Sequence, residues 1–521
     1  MTMGRGFAGG YIPAALAGIM TIAPAQAFRA NRLCGPAVGA RADLQRPEAK
    51  SPRPQTPARL WKIEIEGRDD PSSVTAEFDL DKTEPTALFK TAQGSFRTER
   101  GAWAGSKFVF HLPDDPLYGA ADGEAEIAPE AVHGVLFTSK GELKFHGRPQ
   151  KPTDLAVRSV PASLRQGPGF RRLTLERDGK PWTLPDRMRF HHVPAVSLAR
   201  IENYKVVEIG AFGVTDIESG TPVDTDTLFQ AGGMGSPLLN LLALRLAAQG
   251  RLDLDRDVNA SLKSAPIADN AFTHTRKTTV RDLMNGASGL SQYKFGGYRP
   301  GIPLPTLPAL LAGKDPKEME PLQPVRVPGT YGGEGVCGAL LQQVIEEATG
   351  RSLPELMRKN IFAPLGMNHS TYAFYPAENL RGKITLGHYA TGGVALDRFH
   401  LYPETGETGL WTTAGDFARM LCQVQLLLAG KPNRILSAEQ TGLLKPFLTE
   451  RCILGFLQAE KGDFLPVGYL YHGGASYGYY ANHATHRSNG TGIVVMENRN
   501  LSWALNNEII KAVLKSHPAA P

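Results

Sequence analysis

An α+β fold, in which an antiparallel sheet combines with a helical cluster and follows a small antiparallel β-domain, is predicted by three features of this chain. Short alternating segments run from Leu60 to His146, a long apolar helix pattern follows Pro237, and strand-like runs flank Ser488-Asn489-Gly490 near the end. Strands first, helices in the middle and strands last segregate the two kinds of element, unlike an alternating βαβ chain. No internal repeat is present.

Taken in order, Met1 to Arg5, the apolar stretch around Tyr11 to Ile22 and Ala25-Gln26-Ala27 match the basic, hydrophobic and small-residue parts of a secretory signal. Residues 1–27 are therefore expected to be removed, and the mature protein to be periplasmic or secreted. The apolar stretch is interrupted by Gly and Pro and falls short of the ~20 residues a spanning helix needs. Residues 28–58, rich in Pro, Ala and Arg without periodicity, read as a disordered linker.

Residues 59–155 read as the small β-domain, a barrel or sandwich. Its strands are expected at Leu60–Ile65, Val74–Leu80, Ala87–Phe96, Lys107–His111, Val132–Phe137 and Glu142–His146, with Trp61, Phe78, Phe108 and Phe110 as core. A second linker is expected over 156–184, and the main domain over 185–521. That domain is expected to open with strands at Val206–Ile209, Phe212–Thr215 and Pro222-Val223, with a kink at Gly210. Leucines at 238, 239, 241, 242, 244 and 246 surround the helix after Pro237, so it is buried rather than amphipathic, and Gly250 suits its left-handed end. Further helices are expected at Ala339–Thr349, closed by Gly350, at Leu353–Ile361 and at Leu505–Leu514. Tyr479–His486 and Thr491–Met496 form a hairpin around Asn489-Gly490.

Composition bounds the function. With 521 residues, 42% hydrophobic and 21% charged, the chain suits two or three domains with a sizeable core. The net charge of +6 is spread out, and no basic and aromatic stripe suggests nucleic acid. Four cysteines have no metal-site spacing; export permits a disulfide, with Cys422 and Cys452 the first pair to consider. His483 and His486 are three apart in a strand and face opposite ways, and His191-His192 lacks a third ligand. Neither a cofactor nor a metal is implied.

Several phrases carry a resemblance. Leu228-Phe229-Gln230-Ala231-Gly232-Gly233-Met234-Gly235-Ser236-Pro237 leads into the apolar helix and Gly250-Arg251-Leu252-Asp253. Gly329-Thr330-Tyr331 precedes Leu341-Gln342-Gln343. Ala363-Pro364-Leu365-Gly366-Met367 is followed by Ser370-Thr371-Tyr372, Thr408 to Thr413 by Asp416-Phe417-Ala418-Arg419, and His472-Gly473-Gly474 comes last. In this order the phrases, over about residues 185–515, resemble the serine β-lactamase and penicillin-binding-protein superfamily.

The resemblance implies a serine hydrolase built on Ser-x-x-Lys, a loop Tyr and a third-motif strand. A serine hydroxyl is a weak nucleophile and needs a base one helical turn away. Here Gly233 stands at the serine position and Ser236 at the lysine position. Ungapped counting puts Gly333 at the tyrosine position, with Glu334 and Gly335 after it; Tyr331 fits only if the loop is two residues shorter. Asn285-Gly286-Ala287-Ser288-Gly289-Leu290 departs likewise from the family's Asn-His-Thr-Ser-Gly-Leu. The family's oxyanion hole corresponds to the backbone N–H groups of Gly233 and Ala475, with His472, Gly473 and Gly474 beside them.

The expectation is an inactive or strongly impaired member of this family, binding a small-molecule or peptide ligand such as cell-wall material through its carbonyl or carboxylate. The alternative is an active esterase, D-aminopeptidase or carboxypeptidase with a relocated nucleophile, Ser236 assisted by Glu334 or His472, or Ser291 of the literal Ser291-Gln292-Tyr293-Lys294. That last run sits in a Gly-rich loop rather than opening a buried helix. Gly286-Ala287-Ser288-Gly289 is not a nucleophile elbow, because its second Gly comes one residue early.

Overall fold

The computed structural model describes the strands between residues 60 and 149, with residue 106, and residues 170–516 apart from 171–172, 178–179, 292–295, 315–320, 333–335, 374–382, 390–394, 396, 450 and 501. The described residues divide into two compact units that meet in sequence between Asp154 and Leu155. No described helix is long and apolar enough to cross a membrane.

The first unit consists of β1 (Leu60–Ile65), β2 (Val74–Asp79), β3 (Thr86–Thr91), β4 (Gly94–Arg97), β5 (Glu99–Ala104), β6 (Lys107–Asp115), β7 (Gly119–Ala128), β8 (Ala131–Thr138) and β9 (Gly141–Pro149). They form one antiparallel sheet in the order β4-β3-β2-β1-β9-β8-β7-β6-β5, not the paired sheets of a sandwich. Two meanders, β1 to β4 and β5 to β9, join through the β1–β9 pair. Phe108 and Phe110 are buried and stack at 5.2 Å, as expected; the Trp61 and Phe78 side chains lie outside the described residues. β5 and β7 are additional. β7 is rich in Gly, Ala and Glu, poor strand formers, and cross-strand aromatics compensate. Gly123 faces Phe110 and Gly134 faces Phe145, and a Cβ on either glycine would collide with the opposing ring.

In the second unit the hairpin β10 (Thr174–Arg177) and β11 (Lys180–Thr183) occupies the end of the segment read as linker, with Leu175 in the core. Thr183 then caps α1 (Leu184–Phe190) by accepting the Asp186 N–H. The sheet strands β12 (Ala195–Glu202) and β13 (Lys205–Gly213) follow. β12 is an addition to the expected set. Gly210 pairs in register with Leu198; the irregularity falls between Arg200 and Ile201 of β12, where Val207 of β13 is the extra residue.

After β14 (Phe229–Gln230) comes α2 (Gly235–Ala248), then α3 (Val280–Met284), α4 (Leu307–Leu311), α5 (Cys337–Thr349), α6 (Leu353–Met357), α7 (Ala363–Leu365), α8 (Thr405–Thr408), β15 (Trp411–Thr412) and α9 (Ala414–Leu428). The chain closes with β16 (Cys452–Ile453), β17 (Phe456–Gln458), β18 (Tyr469–Tyr471), β19 (Gly474–Ser476), β20 (Tyr479–His486), β21 (Gly492–Glu497) and α10 (Trp503–Ser516). The eight strands run β13-β12-β21-β20-β18-β17-β16, with β19 also beside β20.

The leucines of α2 are fully buried in the larger core, and helix α9 covers the same face of the sheet. On the other face Leu505, Ile509 and Ile510 of α10 pack with Val196, Leu198 and Val495. α2 begins at Gly235, two residues before the expected start. Pro237 is therefore its third residue, still inside the first turn where a missing N–H costs nothing. Beyond α6 a widened π turn, Arg358–Phe362, continues the expected helix. Cys422 and Cys452 are buried and not joined to each other, so the Cys422–Cys452 disulfide is not formed.

Candidate functional site

Two short pairings bring the site together. Phe229 pairs with Thr412 and Gln230 with Trp411, and the Ala231 N–H bonds Leu410 O at 2.8 Å. This anchors the 3₁₀ turn Gly232–Met234, which leads directly into α2. Opposite, β18 ends at Tyr471, His472 and Gly473 bridge, and β19 starts at Gly474, with Ala475 opposite Tyr480 of β20.

The three glycines here differ in kind. Gly232 has a left-handed φ of 53°, and a Cβ on it would stand 2.6 Å from Ala475 O. A Cβ on Gly474 would collide with Ala231 O and stand 3.0 Å from Gly233 N. Both must be glycine for turn and strand to approach. Gly233, by contrast, has room: a Cβ there would lie 3.4 Å from Gly473 O and 3.8 Å from His472 Cε1, ordinary van der Waals distances. Packing does not require the loss of a side chain at the serine position.

Ser236 lies in the first turn of α2 and is 8% exposed, and no hydrogen bond joins its hydroxyl to a described residue. His472 is buried beside the Gly233 position and has a neighbour that strand spacing alone does not reveal. His483 of β20 is fully buried between Phe417 and Phe456, and its Nδ1 and Thr485 Oγ1 are 3.0 Å apart. Burial first, and the nearby His472 second, push its protonation well below the usual histidine range. The described residues hold no group of three metal-ligating side chains.

Tyr331 is placed with its ring 4.7 Å from the guanidinium carbon of Arg451. Its loop is pinned by Gly329 N–H to Ala287 O at 2.8 Å and by Gly332 N–H to Gly286 O at 3.0 Å, and Gly286 itself is left-handed at φ 64°. Gly333, Glu334 and Gly335 lie outside the described residues. Ser291 sits in a loop bridged to Gln323: its N–H donates to Gln323 O at 2.9 Å, and its Oγ accepts the Gln323 N–H at 3.3 Å. Residues 292–294, which complete the literal Ser-x-x-Lys, are not described.

Other groups around the site escape the sequence reading. Glu404 and Glu407 are buried where α8 meets the head of α2, and a Cβ on Gly235 would collide with Glu407 O. Just past β19 the Tyr477 ring stacks on His400 at 3.9 Å, its hydroxyl is 2.8 Å from that of Tyr389, and its N–H donates to the Tyr402 hydroxyl at 3.2 Å. None of these pairs has a fixed spacing in sequence.

Turn and β19 approach closely: a Cβ on Gly474 would stand 3.0 Å from Gly233 N, and one on Gly232 would stand 2.7 Å from Ala475 N. The turn leads into the N-terminus of α2, the end of a helix that carries partial positive charge. Among the described residues here, no hydroxyl has an ammonium base one helical turn away.

Comparison with known proteins agrees with this fold. The Beta-lactamase family model matches residues 183–515. Penicillin-binding protein 4 of Amycolatopsis lactamdurans is 28% identical over 266 residues, 49% of this chain and 66% of that protein. Teichoic acid D-alanine hydrolase of Staphylococcus aureus is 25% identical over 231 residues, 44% of this chain and 54% of the relative. The chain thus spans less than two-thirds of these relatives' lengths. Among solved structures, a class C beta-lactamase is similar at TM-score 0.50 and 19% identity, over 64% of this chain and 94% of the other. The octameric penicillin-binding protein homologue from Pyrococcus abyssi is similar at TM-score 0.50 and 20% identity, covering 64% and 75%. With the family model matched over most of the chain and the fold shared, this chain belongs to the Beta-lactamase family.

Proposed function

We propose that this chain is an exported, catalytically silent member of the family that binds, without cleaving, a small-molecule or peptide ligand bearing a carbonyl or carboxylate, cell-wall material being the first candidate. The observation that carries the reading is Gly233 beside His472 with Ser236 one turn on: the nucleophile position has no side chain and the base position has no amine. Removing the nucleophile of a comparable serine hydrolase costs roughly 10⁶ in turnover, and removing its partners as well costs little more. Backbone donors survive such a loss, which supports binding as the remaining role. The names of the relatives point to D-alanyl or penicillin-like groups as ligands to try first.

In this reading residues 1–27 are an export signal, residues 28–58 and 156–184 are connecting segments, and residues 59–155 are an accessory β-domain preceding the binding domain of 185–521. The test is covalent labelling. Incubated with a fluorescent penicillin and, separately, a fluorophosphonate, the protein is expected to show no covalent adduct by intact mass. An adduct mapped to a residue of 185–521 would overturn the reading.

A further inference from the structure

We propose that Arg326 and Arg451 form an anion-binding site at the 326–332 loop, taking a carboxylate or phosphate group of a ligand. The two guanidiniums approach consecutive residues from separate segments. Arg451 covers the Tyr331 ring, and a Cβ on Gly332 would stand 2.9 Å from both Cζ and Nη2 of Arg326. One cation thus borders the Tyr331 side chain and the other the backbone of the next residue, Gly332. A side chain on Gly332 would displace the Arg326 head.

Both arginines are partly buried, and among the described residues neither has an ion pair or hydrogen bond through its side chain. The Nε of Arg451 is buried with no partner. Their neighbours are different. Arg276, which packs on Gly329 of the same loop, is paired with Asp282 at 2.7 Å, and Arg281 holds Asp255 at 2.7 Å through Nε and Nη2. A guanidinium is a rigid fork of donors matched to two-oxygen anions, and it gains most from such a partner where water is already partly excluded. Two forks without an acceptor among the described residues, one on this loop and one lying over its Tyr331 ring, are suited to an incoming oxyanion.

The position ties this loop to the start of α2. Gly329 and Gly332 are pinned to Ala287 and Gly286, and the turn after Arg451 lays Gly455 against the helix, where a Cβ would stand 3.6 Å from Pro237 Cα and 2.8 Å from Asn240 Nδ2. The proposal concerns the Arg326 and Arg451 side chains, not the backbone N–H groups of Gly233 and Ala475. It does not rest on the catalytic reading, because anion binding is measured without turnover.

The experiment titrates the full-length protein with inorganic phosphate and, separately, with acetate, at constant ionic strength, by calorimetry. Saturable binding of at least one anion is expected, and which one binds identifies the group. Arg326→Gln and Arg451→Gln are each expected to weaken it about tenfold. In the unmodified protein the bound anion should also slow phenylglyoxal modification of Arg326 and Arg451 but not of Arg276, which keeps the proposal testable if a variant fails to fold. No saturable binding of either anion, unchanged affinity in both variants, or equal protection of Arg276 would overturn it.

Discussion

Two strands that pair side by side, β14 and β15, lead into opposite kinds of structure. β15 runs into Thr413 and the fully buried Asp416, whose carboxylate accepts the His369 N–H at 2.7 Å, the Ser370 hydroxyl at 2.9 Å and Arg419 at 2.6 Å. Burial still pushes the Asp416 carboxyl up, so these partners are what permit its charge. β14 runs into Gly232-Gly233-Met234-Gly235-Ser236, where backbone alone remains. A dense side-chain network on one side and a run of mostly glycine on the other thus begin within a few residues of the same pairing.

The comparison breaks most visibly at Gly474. Gly474→Ala forces a Cβ into Ala231 O and is expected to cost at least about 3 kcal/mol, seen as a lowered denaturant midpoint. Asp416→Ala leaves the His369 N–H and Ser370 hydroxyl without their buried acceptor and should cost about 2 to 3 kcal/mol in the same assay. A variant as stable as the parent would mean that the framework network is dispensable.

A smaller effect sharpens the contrast on the sheet's other face. Glu497 of β21 is fully buried, and burial raises its carboxyl to about 8. Because the folded state holds this proton more tightly than the unfolded chain, the contribution is complete below the ordinary glutamate range and is lost as pH rises toward 8. Glu497→Gln should therefore lower the loss of melting temperature between pH 5 and 8 by a few degrees; identical pH profiles would remove Glu497 from the account. The smallest effect is expected at Gly233. Gly233→Ser meets only ordinary contacts and should change stability by less than about 1 kcal/mol, whereas a large loss would show that glycine is needed there for packing.

Legibility in the sequence followed the range of the interactions. Local chemistry was readable: Gly350 closes α5 at a left-handed φ of 65°, and Gly490 makes the β20–β21 turn at φ 76°. The all-round apolar pattern of α2 correctly marked it as buried. β7 was hidden because its Gly123 borrows aromatic cover from Phe110 of β6, and β12 because Ala195 to Glu202 reads as neither alternating nor turn-bounded. At the site, Gly233, Ser236 and His472 could be placed from motif order. The His472–His483 and Tyr402–Tyr477 neighbours could not, since residues on adjacent strands or distant loops meet at no characteristic spacing.

The central claim is that no hydroxyl in this domain replaces the one absent at Gly233. Its most direct test is p-nitrophenyl ester turnover by the parent protein compared with Ser236→Ala and Ser291→Ala. The account predicts the same background rate in all three. A parent rate well above background that falls in either variant would contradict it and identify the relocated nucleophile.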